Sequence, residues 1–296
     1  MHDYLLAAVL GVIEGITEFL PVSSTAHLRI AEAVLGVDLG DGYWKMFSIV
    51  IQLGAILCLP IYFWKRILDF IWTFPRGTRG DGTFMTHPLT LTFIAFVCTA
   101  GPAYLLTKVI GKHLEDVRLM AIALIAGGSV MIVVDKLYEA GRGIRLFTGR
   151  ITEHMEEMRP WQAVWIGLCQ ILSAVFPGTS RSMSTIASGQ LAGMTRTAAL
   201  EFSFFLSIPT MFAATAYDLL KTLRADKAHA AVEGLGVVHM DPHGWTLLFI
   251  GGAVSFVVAL AVVAWFMNWV RKHGFVSFGI YRIVVGIAVW IWLGRG

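Results

Sequence analysis

The chain has 296 residues, of which 56% are hydrophobic and 15% are charged, and its formal net charge is +3. Soluble globular domains contain about 25% charged residues, so this composition excludes an ordinary soluble protein and favours one that lies in the bilayer. A small net charge without any basic run argues against nucleic acid as a partner. The three cysteines lie apart in apolar stretches, which predicts small core residues and no disulfide framework.

Segments of about 20 apolar residues are long enough to cross a membrane as helices. Tryptophans stand near the ends of several of these segments, as they do at membrane interfaces. The sequence therefore predicts an all-α integral membrane protein with about six spanning helices, at 46–64, 89–107, 118–135, 199–220, 245–268 and 278–293. The charged stretches between them, including 65–88, 136–160 and 269–275, are interpreted as loops.

Two further apolar regions, 4–36 and 161–195, are each broken in the middle by Pro, Ser, Thr and a charged residue. Neither half of either region is long enough to span comfortably. Both regions are predicted to be re-entrant helix–loop–helix hairpins, because irregular backbone at that depth is tolerated only inside protein or along a cavity.

The two broken regions match at an offset of 156, where Pro21 aligns with Pro177 and Ser24 with Ser180. We interpret this as an internal duplication within a single membrane domain, with repeats at 1–138 and 160–293. One hairpin and three spanning helices per half make the repeats inverted, with the site at their interface. Lys and Arg number twelve on one face and eight on the other, which predicts that the first hairpin opens to the outside.

The first hairpin contains Glu14 and Glu18, which are four residues apart and so share one helix face. Placing an acidic side chain at mid-bilayer costs about 2.5–3.5 kcal/mol on insertion scales, so a compensating cation, proton or water-filled cavity is expected. Two converging carboxylates are suited to a divalent cation such as Mg²⁺ or Ca²⁺. One of them is alternatively a general base, or both are helix-end residues facing water.

Beyond Pro21 the same hairpin has a run of hydroxyl residues, Ser23, Ser24 and Thr25, followed by His27. Ser and Thr favour helix N-caps, and a helix N-terminus is a ready anion site. A serine with a histidine and a glutamate nearby supplies the parts of an activated nucleophile. The simpler interpretation is that the hydroxyls only cap the helix and that His27 is a core residue.

The second hairpin presents an isolated cation, Arg181, between Ser180 and Ser182 and shortly after Gly178 and Thr179. The guanidinium suits bidentate contact with phosphate, and glycine lets the backbone approach a ligand closely. An internal ion pair of Arg181 with a hairpin glutamate is the alternative. Acids, hydroxyls, a histidine and an arginine together favour phosphoryl transfer, whereas zinc-ligand spacing and nucleotide-binding motifs are lacking in the sequence.

These motifs resemble the signatures of the undecaprenyl-diphosphate phosphatase family of the bacitracin-resistance type. The first is Glu14-Gly-Ile-Thr-Glu-Phe-Leu-Pro-Val-Ser-Ser-Thr-Ala-His27, the second is Pro177-Gly-Thr-Ser-Arg-Ser182, and Phe47–Leu57 is also similar to a family segment. Met183 departs from the family pattern, which usually has Gly there, and Ala26 stands where Gly is frequent.

The resemblance implies a bacterial inner-membrane enzyme that removes the terminal phosphate of a C55 polyprenyl diphosphate after cell-wall polymerisation. It also implies dependence on a divalent cation, a homodimer, and an active site facing the periplasm. Ser24 is then the expected nucleophile, Glu18 and His27 activate or orient it, Glu14 helps Glu18 to hold metal, and Arg181 binds the diphosphate. The expected substrate-binding residues are Ser23, Thr25, Gln52, Gly178, Thr179, Ser180, Ser182 and Thr185.

Two other functions fit parts of the pattern. Inverted repeats with broken helices are typical of transporters, so a transporter or lipid flippase for a polyprenyl phosphate is the alternative. A purely structural scaffold is disfavoured, because it has no need of buried Glu14, Glu18 and Arg181.

Overall fold

The computed structural model describes residues 2–37, 42–77, 82–106, 116–139, 151–224 and 242–294. The described residues form twelve α-helices and two short 3₁₀ turns, Phe84–Thr86 and Met155–Glu157, and contain no strand beyond one isolated bridge. The helices are α1 (His2–Thr17), α2 (Ser24–Val34), α3 (Gly42–Ile56), α4 (Cys58–Tyr62), α5 (Trp64–Thr73), α6 (Pro88–Leu105), α7 (Val117–Glu139), α8 (Pro160–Val175), α9 (Arg181–Leu191), α10 (Arg196–Arg224), α11 (Pro242–His273) and α12 (Val276–Leu293). The predicted all-α class is confirmed.

Five of these helices, α6, α7, α10, α11 and α12, are long and apolar enough to cross a membrane. The bent pair Met46–Tyr62 and Trp64–Thr73, whose axes meet at 64°, is a sixth candidate crossing when it is counted as one span. The expected number of about six spanning helices is therefore confirmed. A backbone that satisfies its own hydrogen bonds is what the hydrocarbon phase requires.

The interpretation of 65–88 and 269–275 as loops is wrong in part. Helix α5 occupies Trp64–Thr73 and is amphipathic, with Phe70 buried and Trp72 exposed. Its charged side chains led to the interpretation as a loop. Helix α11 continues to His273, where Gly274 with φ +66° ends it. Charge marks the edge of the hydrocarbon layer, not the end of a helix, so hydropathy alone misplaces such boundaries.

The two broken regions both form helix–turn–helix hairpins, α1–α2 and α8–α9. Their helices contain 16 and 11 residues in the first hairpin and again 16 and 11 in the second. All four fall short of the roughly 20 residues that span a bilayer. Each hairpin thus brings a helix break into the interior of the helical assembly.

Each hairpin packs against a helix of the other half of the chain. Helix α1 packs on α11, where a Cβ added at Gly11 would lie 2.6 Å from the carbonyl oxygen of Gly251. Helix α8 packs on α6 in the same way, with Gly167 against the Ala95 carbonyl. Both pairs are related by the offset of 156, which supports the predicted duplication. The division at 1–138 and 160–293 and the inversion of the repeats stay predictions.

The alignment of the two turns, however, differs by one residue from the sequence match. The helix caps that correspond in the structure are Ser23 and Ser180, which are 157 residues apart and share a positive φ, 76° and 71°. The prediction that Ser24 corresponds to Ser180 is therefore wrong, and Ser24 corresponds to Arg181. The second turn contains one additional residue after its proline, which a fixed offset cannot accommodate.

Several residues used to predict orientation lie outside the described residues, among them Lys108, Lys112, Arg142, Arg145 and Lys227.

Behind the first turn, Phe19 meets Phe204 of α10 edge to face at 5.4 Å between ring centroids. Phe204 also contacts Phe266 of α11, with 6.3 Å between the ring centroids. This aromatic core supports the first hairpin turn from the second half of the chain.

We predict that Gly11→Ala lowers the stability of the folded protein by about 1–3 kcal/mol, because the new methyl group meets backbone that cannot rotate away. Thermal unfolding in detergent, followed by tryptophan fluorescence, measures the change. Gly252→Ala is the matched control, since a Cβ there meets no atom within 4 Å. Equal midpoints for the two variants would contradict the close helix contact.

Candidate active site

The two hairpin turns share an unusual backbone conformation at the residue that caps the returning helix. Ser23 and Ser180 are the only described residues other than glycine with positive φ. Their hydroxyl oxygens accept from the amides of Ala26, at 3.5 Å, and Met183, at 3.3 Å. Backbone strain of this kind persists only where the surroundings hold it and is frequent at functional sites.

Glu18 connects the two hairpins through its two carboxylate oxygens. The hydroxyl of Ser24 donates to Oε2 at 2.6 Å, and Nη2 of Arg181 donates to Oε1 at 3.0 Å. All three side chains are nearly buried, with Glu18 6% exposed. A buried carboxylate between a hydroxyl and a guanidinium is a polarised acceptor for the hydroxyl proton.

Glu14 lies one helical turn before Glu18 and is fully buried. Neither of its carboxylate oxygens has a hydrogen-bond partner among the described residues. Nε and Nη1 of Arg181 are likewise buried and without partners there. Buried polar groups are costly unless they are paired. The site therefore has unused hydrogen-bonding capacity: two acceptor oxygens on Glu14 and two donor nitrogens on Arg181.

A divalent cation fits this donor set only in part. The described residues place no group of three or more His, Cys, Asp or Glu side chains around one point. Glu14 and Glu18 are hard oxygen ligands, and Mg²⁺ is commonly held by one or two carboxylates with the remaining ligands from substrate phosphates and water. The two glutamates therefore suit a cation that arrives with, or is completed by, a phosphate group.

A cavity of about 470 Å³ lies between the hairpin turns and helices α6 and α10. Its polar lining comes mainly from the hairpins and its apolar lining mainly from α6 and α10, and we call these two parts its polar end and its apolar end. The polar end is lined by Glu18, Ser23, Ser24, Thr25, Gln52, Gln170, Ser173, Gly178, Ser180 and Arg181, and the other end by Phe96, Ala100, Ala103, Tyr104, Met211, Ala213, Ala214 and Tyr217. Gly178, at φ +92°, packs its backbone against Met120 so closely that a side chain would collide.

The cavity brings together most, but not all, of the residues predicted for the site. Ser23, Ser24, Thr25, Gln52, Glu18, Gly178, Ser180 and Arg181 line it, whereas Glu14, His27, Thr179, Ser182 and Thr185 do not. His27 bonds through Nδ1 to the carbonyl oxygen of Ser23, at 2.8 Å, and through Nε2 to the hydroxyl of Tyr281, at 2.8 Å. It therefore touches the turn that carries Ser24 but makes no hydrogen bond to the Ser24 hydroxyl.

Three of the other predicted residues form hydrogen bonds to other parts of the protein. The Ser182 hydroxyl donates to the Leu20 carbonyl at 3.0 Å, which joins the second turn to the first. Thr185 hydrogen-bonds Ser203 of α10 at 2.6 Å. The carbonyl of Thr179 accepts from Arg282. Contact of these residues with substrate stays a prediction.

Arg282 is the residue that sequence reasoning missed. It is fully buried on α12 and donates to backbone carbonyls in both hairpin turns. Its signal was present in the sequence, because it is an isolated arginine inside the apolar segment 278–293. The intramembrane charge rule that singled out Arg181 applies equally to Arg282.

The fold and the site define a class: a polytopic membrane protein in which two helix hairpins hold an acid–hydroxyl–arginine site at the end of an amphiphilic cavity. The family described as "Bacitracin resistance protein BacA" matches residues 7–288. The chain belongs to this family, as the resemblance of its two signatures indicated.

Named relatives match the chain over nearly its whole length. An undecaprenyl-diphosphatase from Koribacter versatilis is 68% identical over 293 residues, covering 99% of both chains. Proteins of the same name from Bdellovibrio bacteriovorus and Fusobacterium nucleatum are 37% and 39% identical, covering 99% and 96% of this chain and 97% and 98% of their own.

Proposed function

We propose that this protein is an undecaprenyl-diphosphate phosphatase. It hydrolyses undecaprenyl diphosphate to undecaprenyl phosphate and inorganic phosphate, which recycles the lipid carrier of cell-wall synthesis. The observation that carries this proposal is the contact of Ser24 and Arg181 with the two oxygens of Glu18 at the polar end of the cavity. The relatives that match the full length of the chain support the same substrate.

The chemistry follows from the groups in contact. The Ser24 hydroxyl oxygen attacks the terminal phosphorus, in line with the oxygen that bridges the two phosphates, while Glu18 accepts the hydroxyl proton across the existing 2.6 Å hydrogen bond. The bond from the terminal phosphorus to the bridging oxygen breaks, and undecaprenyl phosphate leaves with the electron pair. Glu18 gives its proton to the departing monophosphate and then accepts one from the attacking water. The resulting hydroxide hydrolyses the phosphoserine and releases phosphate, and Glu18 passes its proton to the Ser24 oxygen.

Arg181 stabilises the charge that spreads over the phosphate oxygens in this step. Its Nη2 already binds Glu18, while Nε and Nη1 have no partner among the described residues. Nε and Nη1 do not share an edge of the planar guanidinium, because Cδ lies between them, so each suits a separate phosphate oxygen. In the absence of substrate Arg181 neutralises Glu18, and when substrate is bound Arg181 also holds the diphosphate.

The other residues at the polar end bind and orient the head group. Ser23, Thr25, Gln52 and Ser180 present polar side chains to the cavity, and Gly178 brings the backbone close to it. His27 supports this arrangement from behind through the Ser23 carbonyl. In this mechanism His27 orients the turn that carries the nucleophile, and Glu18 takes the proton.

We predict that Ser24→Ala lowers phosphate release from undecaprenyl diphosphate by about 1,000-fold or more, because no other group replaces the nucleophile. Inorganic phosphate is measured with purified protein in detergent. Ser207→Ala is the control, since this buried hydroxyl donates within α10 to the Phe204 carbonyl and does not line the cavity. If Ser24→Ala retained near wild-type phosphate release, direct attack by water would replace the covalent route.

Glu14 and Glu18 are the residues that would hold a divalent cation, Mg²⁺ or Ca²⁺, with phosphate oxygens as further ligands. Such a cation neutralises charge on the diphosphate when bound. Full burial of Glu14 and the lack of hydrogen-bond partners for its oxygens within the described chain support this assignment. The charge balance supports it too, because among the described residues Arg181 is the one cation that forms an ion pair with either glutamate, and it pairs with Glu18.

We predict that EDTA abolishes most phosphate release by the wild type and that added Mg²⁺ or Ca²⁺ restores it. Glu14→Gln raises the metal concentration needed for half-maximal activity by about tenfold or more, because an amide oxygen is a weaker ligand than a carboxylate. Glu32→Gln is the control: this buried carboxylate already accepts from Ser48 and Arg29. Full activity of the wild type in EDTA would refute the metal assignment.

The apolar end of the cavity fits the first isoprene units of the lipid. Small side chains on α6 and α10, Ala100, Ala103, Ala213 and Ala214, leave the space open, and the aromatic rings of Tyr104 and Tyr217 flank it. A diphosphate at the polar end thus has an apolar path toward the membrane between these two helices. A water-soluble diphosphate would not use that path.

We predict that Ala103→Phe raises the KM for undecaprenyl diphosphate by about tenfold, because the ring occupies the path of the chain. The KM for isopentenyl diphosphate, which has too short a chain to reach this residue, stays within about twofold. Ala126→Phe, on an exposed face of α7, is the control. An equal rise of KM for both substrates would place the lipid chain elsewhere.

The protein is a multi-pass membrane protein. We further propose that it lies in the bacterial inner membrane with its site facing the periplasm, supported by the excess of Lys and Arg on the opposite face. A homodimer is carried over from the family resemblance and is part of the same proposal.

A further inference from the structure

Arg282 on α12 is a fully buried cation at the junction of the two hairpin turns. Its Nη1 donates to the carbonyl oxygen of Pro21 at 3.1 Å, in the first turn. Its Nη2 lies 3.0 Å from the carbonyl oxygens of both Gly178 and Thr179, in the second turn. None of the ion pairs formed by the described residues involves Arg282, so backbone carbonyls are the partners of its charge.

The neighbouring helix is shaped to admit this side chain. Nη2 of Arg282 also lies 3.1 Å from the carbonyl oxygen of Ala123 in α7. A Cβ at Gly127, one turn further along α7, would collide with Nη2 of Arg282 and would lie 2.7 Å from the terminal methyl of Met183. Glycine at this position is what allows the guanidinium to sit between α7 and the turns.

The turns that Arg282 joins are those that place the reacting groups. Pro21 precedes Ser24 by three residues, and Gly178 precedes Arg181 by three residues. Both intervening segments pass through a serine with positive φ, a conformation that the surroundings must hold. Tyr281, the adjacent residue of α12, reaches the first turn at a second point, because its hydroxyl contacts His27, which bonds the Ser23 carbonyl.

A cation in this place is not explained by filling space. Burying an unpaired charge at membrane depth is costly, and an apolar side chain would fill the same volume at lower cost. What an apolar side chain lacks is donors for carbonyls that the broken helices leave open in both turns at once. Fixing those carbonyls also fixes the distance between the two turns.

We infer that Arg282 is a positioning residue, which sets the separation of Ser24 and Arg181 by hydrogen-bonding the carbonyls of both hairpin turns. Arg282 does not line the cavity and touches no reacting group, so it acts through the turns. The inference rests on the proposed phosphatase function, since alignment of nucleophile and guanidinium matters for catalysis and less for binding the head group.

The test is a double-mutant cycle on phosphate release from undecaprenyl diphosphate. Arg282→Lys keeps the charge but cannot span both turns. It is expected to lower kcat by about 100-fold, with KM changed by less than about threefold, because small misplacement of reacting groups costs rate more than binding. In an Arg181→Lys background, where alignment is already lost, the same change is expected to lower kcat by less than about tenfold.

A residue that only stabilised the fold would behave differently. It would lower the midpoint of thermal unfolding and reduce kcat by the same factor in both backgrounds. Arg196→Lys is the matched control, because Arg196 is also an inward arginine but binds Asp135 and Glu139 in side-chain ion pairs. Its effect on kcat is expected to be small and identical with and without Arg181→Lys.

Gly127→Ala gives a second route if Arg282→Lys does not yield folded protein, since it displaces the guanidinium and leaves the arginine in place. The same loss of kcat and the same non-additivity with Arg181→Lys are expected. Additive effects of both variants, with an active wild type, would overturn the inference alone. No phosphate release by the wild type would overturn the proposed function and this inference with it.

Discussion

A helix that breaks inside a bilayer leaves backbone carbonyls and amides without water, and the protein has to supply their partners. This protein breaks two helices and brings the breaks together. Arg282 binds carbonyls in both turns, and the hydroxyls of Ser23 and Ser180 bind the amides that follow. Both hydroxyl caps belong to the two serines with positive φ, a conformation that persists only where the surroundings hold it. The geometry of the site therefore depends on how the broken backbone is satisfied.

The second consequence of joining the breaks is that unlike residues meet. The first hairpin contributes Glu18 and Ser24, and the second contributes Arg181, which occupies the same place in its helix as Ser24 does in the first. Glu18 then binds both. If both halves carried the same residue at this place, two hydroxyls or two guanidiniums would face each other. The divergence of two similar hairpins thus converts a structural junction into a site where a carboxylate, a hydroxyl and a guanidinium meet.

The cavity adds a third constraint, because it joins this polar junction to an apolar passage between α6 and α10. An amphiphilic diphosphate matches both ends at once, and neither end alone distinguishes it from a soluble phosphate or a plain lipid. Two nitrogens of Arg181, which lines the polar end, and both carboxylate oxygens of Glu14, one helical turn from Glu18, have no hydrogen-bond partner within the described structure. Those groups are what a phosphate and an accompanying cation would satisfy.

Much of this could be read from the sequence. Composition determined the membrane class, the length of apolar segments determined about six crossings, and the rarity of charge in such segments singled out Glu14, Glu18 and Arg181. These inferences work because the bilayer imposes a strong, local rule on each residue separately. The same rule, applied to the segment 278–293, would also have found Arg282.

Only the tertiary structure decided which of these residues meet. A match at a fixed offset paired Ser24 with Ser180, whereas the turns pair Ser23 with Ser180, because one added residue in the second turn is absorbed by backbone conformation. Proximity along the chain suggested that His27 contacts Ser24, but its position on α2 directs the ring to Tyr281 of α12, 254 residues away. Sequence shows which side chains are too costly to bury without a purpose. Packing of distant helices decides which partner each one finds.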